Sequence, residues 1–247
     1  MNCALSILLV FLAASAMACD RDSAHSVKAK SASNTASDQP AGSIVGRVTI
    51  AGWKPALTQP KIQTCGNQQV SIVDQTVAVN SDNSLRNVVV YVKDAPISPE
   101  SLPAEPAVLD QISCNYVPHV VALRTGQTLR IRNSDATMHN IHTQSQENTP
   151  MNFGQINVDS RDLVFKTAET FRVKCDVHPW MNAYVAVFDH PYFDVTHNGG
   201  TFEVKNVPPG SYILAAWHEK FDEQTFPLVV RSGHPTRVDI TFSPPAN

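Results

Sequence analysis

The chain has 247 residues, of which 43% are hydrophobic and 17% are charged, and its formal net charge at pH 7 is -3. This composition predicts a folded chain of one or two domains and excludes an intrinsically disordered one. Because the charge balance is slightly acidic, nucleic acid is not expected as a partner.

The first predicted element is an export signal at residues 1–18. An apolar stretch begins at Ala4 and is followed by small residues, as in secretory signals. Two processing routes fit: an A-x-A cleavage site ending at Ala18, or acylation of Cys19 as in a bacterial lipoprotein, which we favour. Residues 19–42 are rich in Ser, Ala and Asp, which predicts a flexible tether. We therefore expect a periplasmic or cell-envelope protein, with a membrane contact through the lipid anchor.

The cysteine count singles out one thiol. Of the five cysteines, Cys3 leaves with the signal and Cys19 is acylated or has no structural role. An exported protein meets an oxidising compartment, so we predict a disulfide between Cys65 and Cys114, which contributes about 4 kcal/mol in the loop-entropy model. Cys175 is then a thiol kept for chemistry, unless it is simply a small buried hydrophobic residue.

Hydrophobic alternation after Ser43 predicts strands throughout the chain. Apolar residues recur at every second position in short runs that end at turn residues, and we find no convincing amphipathic helix. The expected fold class is all-β, built from sandwiches. The alternating residues are, in chain order, Ile44, Val48, Ile50; Val88, Val90, Val92; Val121, Leu123; Leu129, Ile131; Leu163, Phe165; Phe171, Val173, Cys175; Phe202, Val204; Tyr212, Leu214, Ala216; and Val238, Ile240, Phe242.

The last group of strands resembles the carboxypeptidase regulatory-like, transthyretin-like β-sandwich. The resemblance lies in Gly-Thr-Phe at 200–202, Pro-Pro-Gly-Ser-Tyr at 208–212 and the closing strands. That module normally begins with strands like GSIVGRVTI and LRNVVVYV, which here occupy 42–50 and 85–92. The resemblance therefore implies that a single sandwich is built from two distant parts of the chain.

This arrangement predicts an inserted domain. We expect a discontinuous outer sandwich of residues 43–104 and 191–245 that holds a second sandwich of residues 105–190. The Pro-rich stretch at 97–106 favours a connector there, because proline lacks a backbone donor and resists continuing a strand. Two consecutive domains with a boundary near Asp189 remain the alternative.

The segment KCDVHPWM, residues 174–181, carries three potential metal ligands at three-residue spacing. Cys175 shares a strand face with Phe171 and Val173, so its thiol is expected to point into the sandwich. A compact turn then brings His178 and Met181 back over the thiol. A distant histidine completes two imidazoles, one thiolate and one thioether, the donor set of blue copper.

Here the chain resembles a cupredoxin, a Greek-key β-sandwich. The strand pattern 121–133 followed by His139-Asn140 and the spacing Cys-x-x-His-Pro-x-Met carry the resemblance, and the short loop is closest to that of amicyanin. The resemblance covers about residues 105–190. It implies that one type 1 copper is held by His139, Cys175, His178 and Met181.

Two further residues follow from the same resemblance. In cupredoxins the Asn after the first histidine, here Asn140, braces the ligand loop through the Ser or Thr that follows the cysteine. This chain has Asp176 there, which puts that brace in doubt. A carboxylate so close to the metal favours Cu(II), so we hypothesise a lowered reduction potential.

Other side chains compete for these roles. His142 is the alternative to His139, and Met138 or Met151 is the alternative to Met181 as the axial ligand. Trp180 either packs in the core or belongs to an apolar docking patch. The remaining histidines are expected to be ordinary hydrogen-bonded residues; these are His119, His190, His197, His218 and His234.

The expected function is single-electron transfer without catalysis. Four protein ligands leave no metal position for a substrate. Copper oxidases and copper nitrite reductases place a histidine directly beside the cysteine, whereas Lys174 and Asp176 flank Cys175 here. The expected partner is a cytochrome c or a periplasmic oxidoreductase. Copper delivery or storage, and a structural or adhesion module without redox use, are the alternatives.

Overall fold

The computed structural model describes residues 39–53, 60–97 and 101–244. Regular structure in these ranges consists of β-strands and no helix, which confirms the all-β prediction. Consequently the described part of the chain contains no helix that is long and apolar enough to cross a membrane. The predicted signal at 1–18, nearly all of the tether at 19–42 and the lipidation at Cys19 lie outside the described residues.

Nineteen strands form five sheets in the described ranges. They are β1 (Gly42–Ile50), β2 (Lys61–Cys65), β3 (Gln68–Ile72), β4 (Val89–Lys93), β5 (Ala107–Ile112), β6 (Asn115–Val117), β7 (Val120–Arg124), β8 (Thr128–Asn133), β9 (His139–Thr143), β10 (Asn152–Gln155), β11 (Asp159–Val164), β12 (Glu169–Lys174), β13 (Asn182–Phe188), β14 (Phe193–Val195), β15 (Thr201–Val207), β16 (Gly210–His218), β17 (Phe221–Val230), β18 (Pro235–Arg237) and β19 (Ile240–Phe242).

Strands from both ends of the described chain form the first sandwich. One sheet has the order β15-β1-β18, with β19 also paired to β1, and the other has the order β14-β4-β16-β17. Inward-facing residues alternate strictly along β1, where Ile44, Val48 and Ile50 are buried. They share one core with Val92 of β4 and Leu214 of β16. The period-two pattern of the sequence therefore marks the side of β1 that faces the opposite sheet.

Strands β5 to β13 form the second sandwich. Its sheets have the orders β10-β9-β12-β13-β7 and β11-β8-β5-β6. The pairs β7–β13 and β5–β8 are parallel, and the other pairs are antiparallel. Leu109, Ile131 and Phe171 are buried between the sheets, and Cys175 and Met181 belong to the same core. The thiol thus lies inside the sandwich, as the strand pattern predicts.

A hairpin of β2 and β3, which the sequence analysis did not predict, lies against the second sandwich. Cys65 at its turn forms the predicted disulfide with Cys114, with a Sγ–Sγ distance of 2.01 Å. Cys65 and Val70 also pack against the core of the second sandwich. Residues 61–72 fall in the range 43–104 that we assigned to the outer sandwich, but the disulfide and this packing fasten them to the other one.

The two sandwiches contact each other through a separate apolar cluster. Val89 of the first sandwich and Val120, Ala186 and Phe188 of the second are buried in it. Aromatic side chains from both sides complete the cluster, including Trp217, whose ring centroid lies 5.3 Å from that of Tyr184.

Candidate metal centre

Cys175 brings a free thiol into the core of the second sandwich. It follows β12 directly and continues the inward alternation of Phe171 and Val173, so its side chain is only 1% exposed. The backbone N–H of His178 donates to Cys175 Sγ at 3.3 Å. The alternation of β12 thus places a reactive sulfur where water has almost no access.

The residues after Cys175 form a tight turn closed by two backbone hydrogen bonds. Met181 N–H donates to the His178 carbonyl at 2.9 Å, and Cys175 N–H donates to the Met181 carbonyl at 3.2 Å. Met181 is 1% exposed and packs in the same core as Cys175. The three-residue spacing of the sequence therefore corresponds to one compact loop between β12 and β13.

His139 lies on a different strand, β9, and its ring is adjacent to that of His178. It is the first residue of β9 and is fully buried. The loop before it is ordered by Asn133, whose Oδ1 accepts from Asp135 N–H at 3.0 Å and whose Nδ2 donates to the Thr137 carbonyl at 2.9 Å. His139 Nδ1 lies 2.9 Å from His178 Nδ1, so the two rings face each other through the same ring atom.

These three side chains are close enough to share one ion. One donor atom each of His139, Cys175 and His178 lies within 4.8 Å of the others, and Cys175 Sγ is 3.9 Å from His178 Nδ1. Metal–nitrogen bonds of about 2.0–2.1 Å and metal–thiolate bonds of about 2.3 Å, as zinc sites show, span such separations. The residues present therefore fit a single transition-metal ion.

The surroundings favour a thiolate at Cys175. Burial alone raises the pKa of Cys175, but hydrogen bonding with His139 and with the backbone N–H groups of Asn140, His178 and Val177 outweighs it, so the net pKa is lowered. Burial also opposes protonation of His139, yet its hydrogen bonds with Cys175 and Asp135 raise its pKa overall. The pKa of His178 is lowered by burial and by repulsion from His139.

Asn140 does brace the ligand loop, although Asp176 replaces the usual hydroxyl residue. Asp176 N–H donates to Asn140 Oδ1 at 2.6 Å, which is a backbone contact that any residue except proline can make at position 176. The Asp176 carboxylate is exposed, pairs with Lys174 Nζ at 2.9 Å and lies 2.8 Å from His142 Nδ1. These two partners lower the pKa of Asp176, Lys174 more strongly than His142.

Asp135 and Cys114 are neighbours of the centre that the sequence analysis missed. Asp135 Oδ2 lies 2.9 Å from His139 Nε2 and 2.9 Å from the donating N–H of Cys114. Cys114 Sγ, in the disulfide, lies 3.9 Å from His139 Nε2 and 3.7 Å from His178 Nε2. The only sequence sign of Asp135 is its place four residues before His139, after an Asn-Ser turn.

Trp180 packs against one of the candidate ligands, His178. Its ring centroid is 5.2 Å from that of His178, and its Nε1–H donates to the Cys114 carbonyl at 3.0 Å. Trp180 is half-buried, whereas Val177 and Pro179 beside it are exposed. The Trp180 ring is therefore adjacent to His178 and partly accessible to solvent.

The side chains considered as alternative ligands, and two of the other histidines, lie outside the group of His139, Cys175 and His178. His142 follows on β9 but is bonded to Asp176, outside the buried donor group, and Met138 is 44% exposed. Met151 packs at the margin of the core. His119 is paired with Glu219 at the contact between the sandwiches, and His218 stacks on Phe221.

Comparisons with known proteins give only distant likenesses. No family model and no curated protein matches the chain. Among solved structures, a Cu-containing nitrite reductase from Thermus scotoductus SA-01 matches with 16% identity over 38% of this chain and 25% of its own, at a TM-score of 0.33. A purple cupredoxin from Nitrosopumilus maritimus matches with 22% identity over 33% of this chain and 98% of its own, at a TM-score of 0.29.

Amicyanin from Paracoccus versutus matches with 20% identity over 40% of this chain and 96% of its own, at a TM-score of 0.32. The match therefore spans a quarter of the nitrite reductase and nearly all of the two smaller proteins. TM-scores this low do not establish a shared fold, so we base the function on the side chains of the centre.

Proposed function

We propose that the chain binds one type 1 copper ion through His139, Cys175, His178 and Met181 and transfers single electrons. The strongest support is that His139 Nδ1, His178 Nδ1 and the free Cys175 thiol are buried and lie close enough together to bind one ion. Two imidazoles and a thiolate with a weak thioether form the donor set typical of blue copper. The thioether of Met181 argues against zinc, which prefers thiolate, imidazole and carboxylate.

The chain's own hydrogen bonds prepare these ligands. The Asp135 carboxylate accepts from His139 Nε2–H, which fixes the tautomer and leaves Nδ1 free to bind a metal. Backbone N–H groups of Asn140, Val177 and His178 stabilise the Cys175 thiolate. Copper, when bound, supplies a couple between Cu(I) and Cu(II). Because backbone hydrogen bonds hold the ligand loop in place, we expect the ligands to move little when the oxidation state of the bound ion changes.

Burial of the centre favours a carrier over an enzyme or a delivery protein. His139, Cys175 and Met181 are at most 1% exposed, and His178 is 7% exposed. Four protein ligands leave no coordination position for a substrate. A delivery protein needs an open site that exchanges its ion, which this closed arrangement does not offer. We therefore assign the chain no catalytic role.

The partner is a redox protein in an oxidising compartment. Electrons have a short route from His178 through the half-buried Trp180 ring, next to the exposed Val177 and Pro179. Such an apolar edge suits docking of a cytochrome c or a periplasmic oxidoreductase. The disulfide Cys65–Cys114 fits a periplasmic or cell-envelope location, because disulfides persist in oxidising compartments.

Loading the protein with one equivalent of Cu(II) tests the proposal. We expect an intense visible thiolate-to-copper charge-transfer band that bleaches reversibly with reductant and is absent in Cys175→Ser. His139→Ala should also remove the band, whereas His142→Ala should keep it. A folded, copper-loaded protein that remains colourless would show that the thiol does not bind the ion. The result would favour the alternative of a structural module without redox use.

A further inference from the structure

The disulfide next to the candidate centre belongs to a second group of potential metal ligands. Cys65, Cys114, Asp135 and His139 each place one donor atom within 4.8 Å of the others. Asp135 Oδ2 is 3.8 Å from Cys65 Sγ and 2.9 Å from His139 Nε2, and Cys114 Sγ is 3.9 Å from the same ring nitrogen. This group uses the Nε2 side of His139, whereas Cys175 and His178 lie on the Nδ1 side.

We propose that reduction of the Cys65–Cys114 disulfide creates a zinc-binding site of two thiolates, the Asp135 carboxylate and His139 Nε2. In the disulfide the two sulfurs have no thiolate charge to offer. A dithiol can reduce the bond: two electrons and two protons pass to the cysteines, and the dithiol closes to its own disulfide. Zinc then displaces both thiol protons, and the proton on His139 Nε2 moves to the free Nδ1 or to solvent.

The donor types select the ion. Two thiolates, one imidazole and one carboxylate are the ligands that Zn²⁺ binds in tetrahedral sites. Cα atoms of Cys65 and Cys114 are 5.8 Å apart, so two thiolates can reach one ion after a modest separation of the sulfurs. Cys65, Cys114 and His139 are buried, while Asp135 is only partly buried and gives the ion an approach from solvent.

Asp135 is held in place without the disulfide. Its two carboxylate oxygens accept from the backbone N–H groups of Ser113 at 2.7 Å and Cys114 at 2.9 Å. The turn that carries Cys114 therefore stays attached to Asp135 when the sulfur–sulfur bond is broken. The other sulfur arrives on the β2–β3 hairpin, whose turn residue Gly66 lies against Thr137, in the loop between Asp135 and His139.

The two sites share His139, but Cys175 belongs to the proposed copper centre alone, so the experiment uses a chain without this thiol. The full chain carrying Cys175→Ser is reduced with dithiothreitol. The dithiothreitol is then removed under anaerobic conditions, and the protein is titrated with Zn²⁺ alone. We expect one tightly bound zinc per reduced chain and at least a hundredfold weaker binding by the oxidised chain. With Co²⁺ as the probe, thiolate-to-cobalt absorption should appear in the reduced chain only.

Two variants provide matched controls. Asp135→Asn keeps the size of the side chain and should weaken zinc binding about tenfold, because the anionic ligand is lost. The double variant Cys65→Ser and Cys114→Ser should bind zinc no better than the oxidised chain. Equal zinc affinity in the reduced chain and in this double variant would overturn the proposal.

Reduction of the disulfide lowers the stability of the folded chain. The near-UV circular dichroism of the same samples therefore reports whether the chain remains folded. Removing a native disulfide typically destabilises the fold, because the unfolded chain becomes less constrained. If the reduced chain unfolds, one equivalent of zinc should restore its near-UV circular dichroism, since binding to a formed site is coupled to folding. A reduced chain that stays unfolded with zinc, or one that is folded and does not bind it, contradicts the proposal.

Discussion

Asp135 is the single residue with the largest expected influence on the candidate centre. Its carboxylate accepts from His139 Nε2–H and from two backbone N–H groups, so it orients the ring that offers Nδ1 to the ion. We expect Asp135→Asn to weaken copper binding by about 10–100-fold. Competition with a chelator measures the affinity. Asp162→Asn, which removes an exposed partner of Arg130, is the matched control and should leave the affinity unchanged.

The charge of Asp176 is predicted to lower the reduction potential. Asp176 follows Cys175 directly, but Lys174 and His142 offset part of its charge. We therefore expect Asp176→Asn to raise the potential by no more than ~59 mV, which is a tenfold change for a one-electron couple. The backbone bond from residue 176 to Asn140 is retained in this variant. Cyclic voltammetry that shows an unchanged or lower potential would refute the hypothesis.

At the level of residues, the sequence predicts the candidate ligands better than their surroundings. Cys175, His178 and Met181 are close in sequence, so spacing alone places them in one turn. Asp135 was missed because its role depends on how the loop before His139 folds back. The Asn140 brace survives the change to Asp176 because it uses the backbone of residue 176, which a side-chain pattern does not reveal.

At the level of elements, strands with clear alternation were predictable and the β2–β3 hairpin was not. β1 and β12 confirm the predicted alternation of buried residues, whereas in β16 the three consecutive residues Leu214, Ala215 and Ala216 are all buried. The hairpin has mostly polar, exposed residues, and even the apolar Ile62 is 62% exposed, so no buried face marks it. The Gly66-Asn67 pair was the available turn signal, and Gly66 adopts a positive φ of 59° there.

The end of β16 carries a prediction on pH dependence. Burial lowers the pKa of His218 from 6.5 to about 4, and its Nε2 has no hydrogen-bond partner among the described residues. A histidine with a depressed folded-state pKa stabilises the protein fully above its unfolded pKa of 6.5. This contribution is lost as the pH falls from about 6.5 towards 4, and it amounts to ~3 kcal/mol.

His218→Phe should remove most of this loss, because phenylalanine fills the position between Phe221 and Phe242 without titrating. Denaturant unfolding at several pH values between 7 and 4 measures the slope. The exposed His234→Phe is the control and should keep the wild-type slope. An equally steep loss of stability in His218→Phe would assign the acid sensitivity to other groups.

For the whole molecule, the contact between the sandwiches predicts coupled unfolding. Phe188 of the second sandwich is 9% exposed, and its ring centroid lies 4.9 Å from those of Tyr91 and Phe193 in the first. We expect Phe188→Ala to cost about 3–5 kcal/mol and to split one calorimetric transition into two. Val158→Ala, at a residue 74% exposed, should leave a single transition. A single transition in Phe188→Ala would show that this cluster does not couple the sandwiches.

The pairing of distant strands could not be derived from alternation alone. Strands β1 and β4 share sheets with β14 to β19, although β4 ends at Lys93 and β14 begins only at Phe193. Only the resemblance of the closing strands to a known sandwich suggested that arrangement. Register and the contact between the sandwiches depend on long-range packing, which period-two patterns do not encode.

X-ray absorption at the copper edge tests the central claim most directly. In the copper-loaded protein we predict one short copper–sulfur distance from Cys175 and two copper–nitrogen distances from His139 and His178, with little change between the oxidised and reduced forms. A spectrum with nitrogen and oxygen neighbours but no short sulfur would contradict the account, because the buried thiol would then not hold the ion.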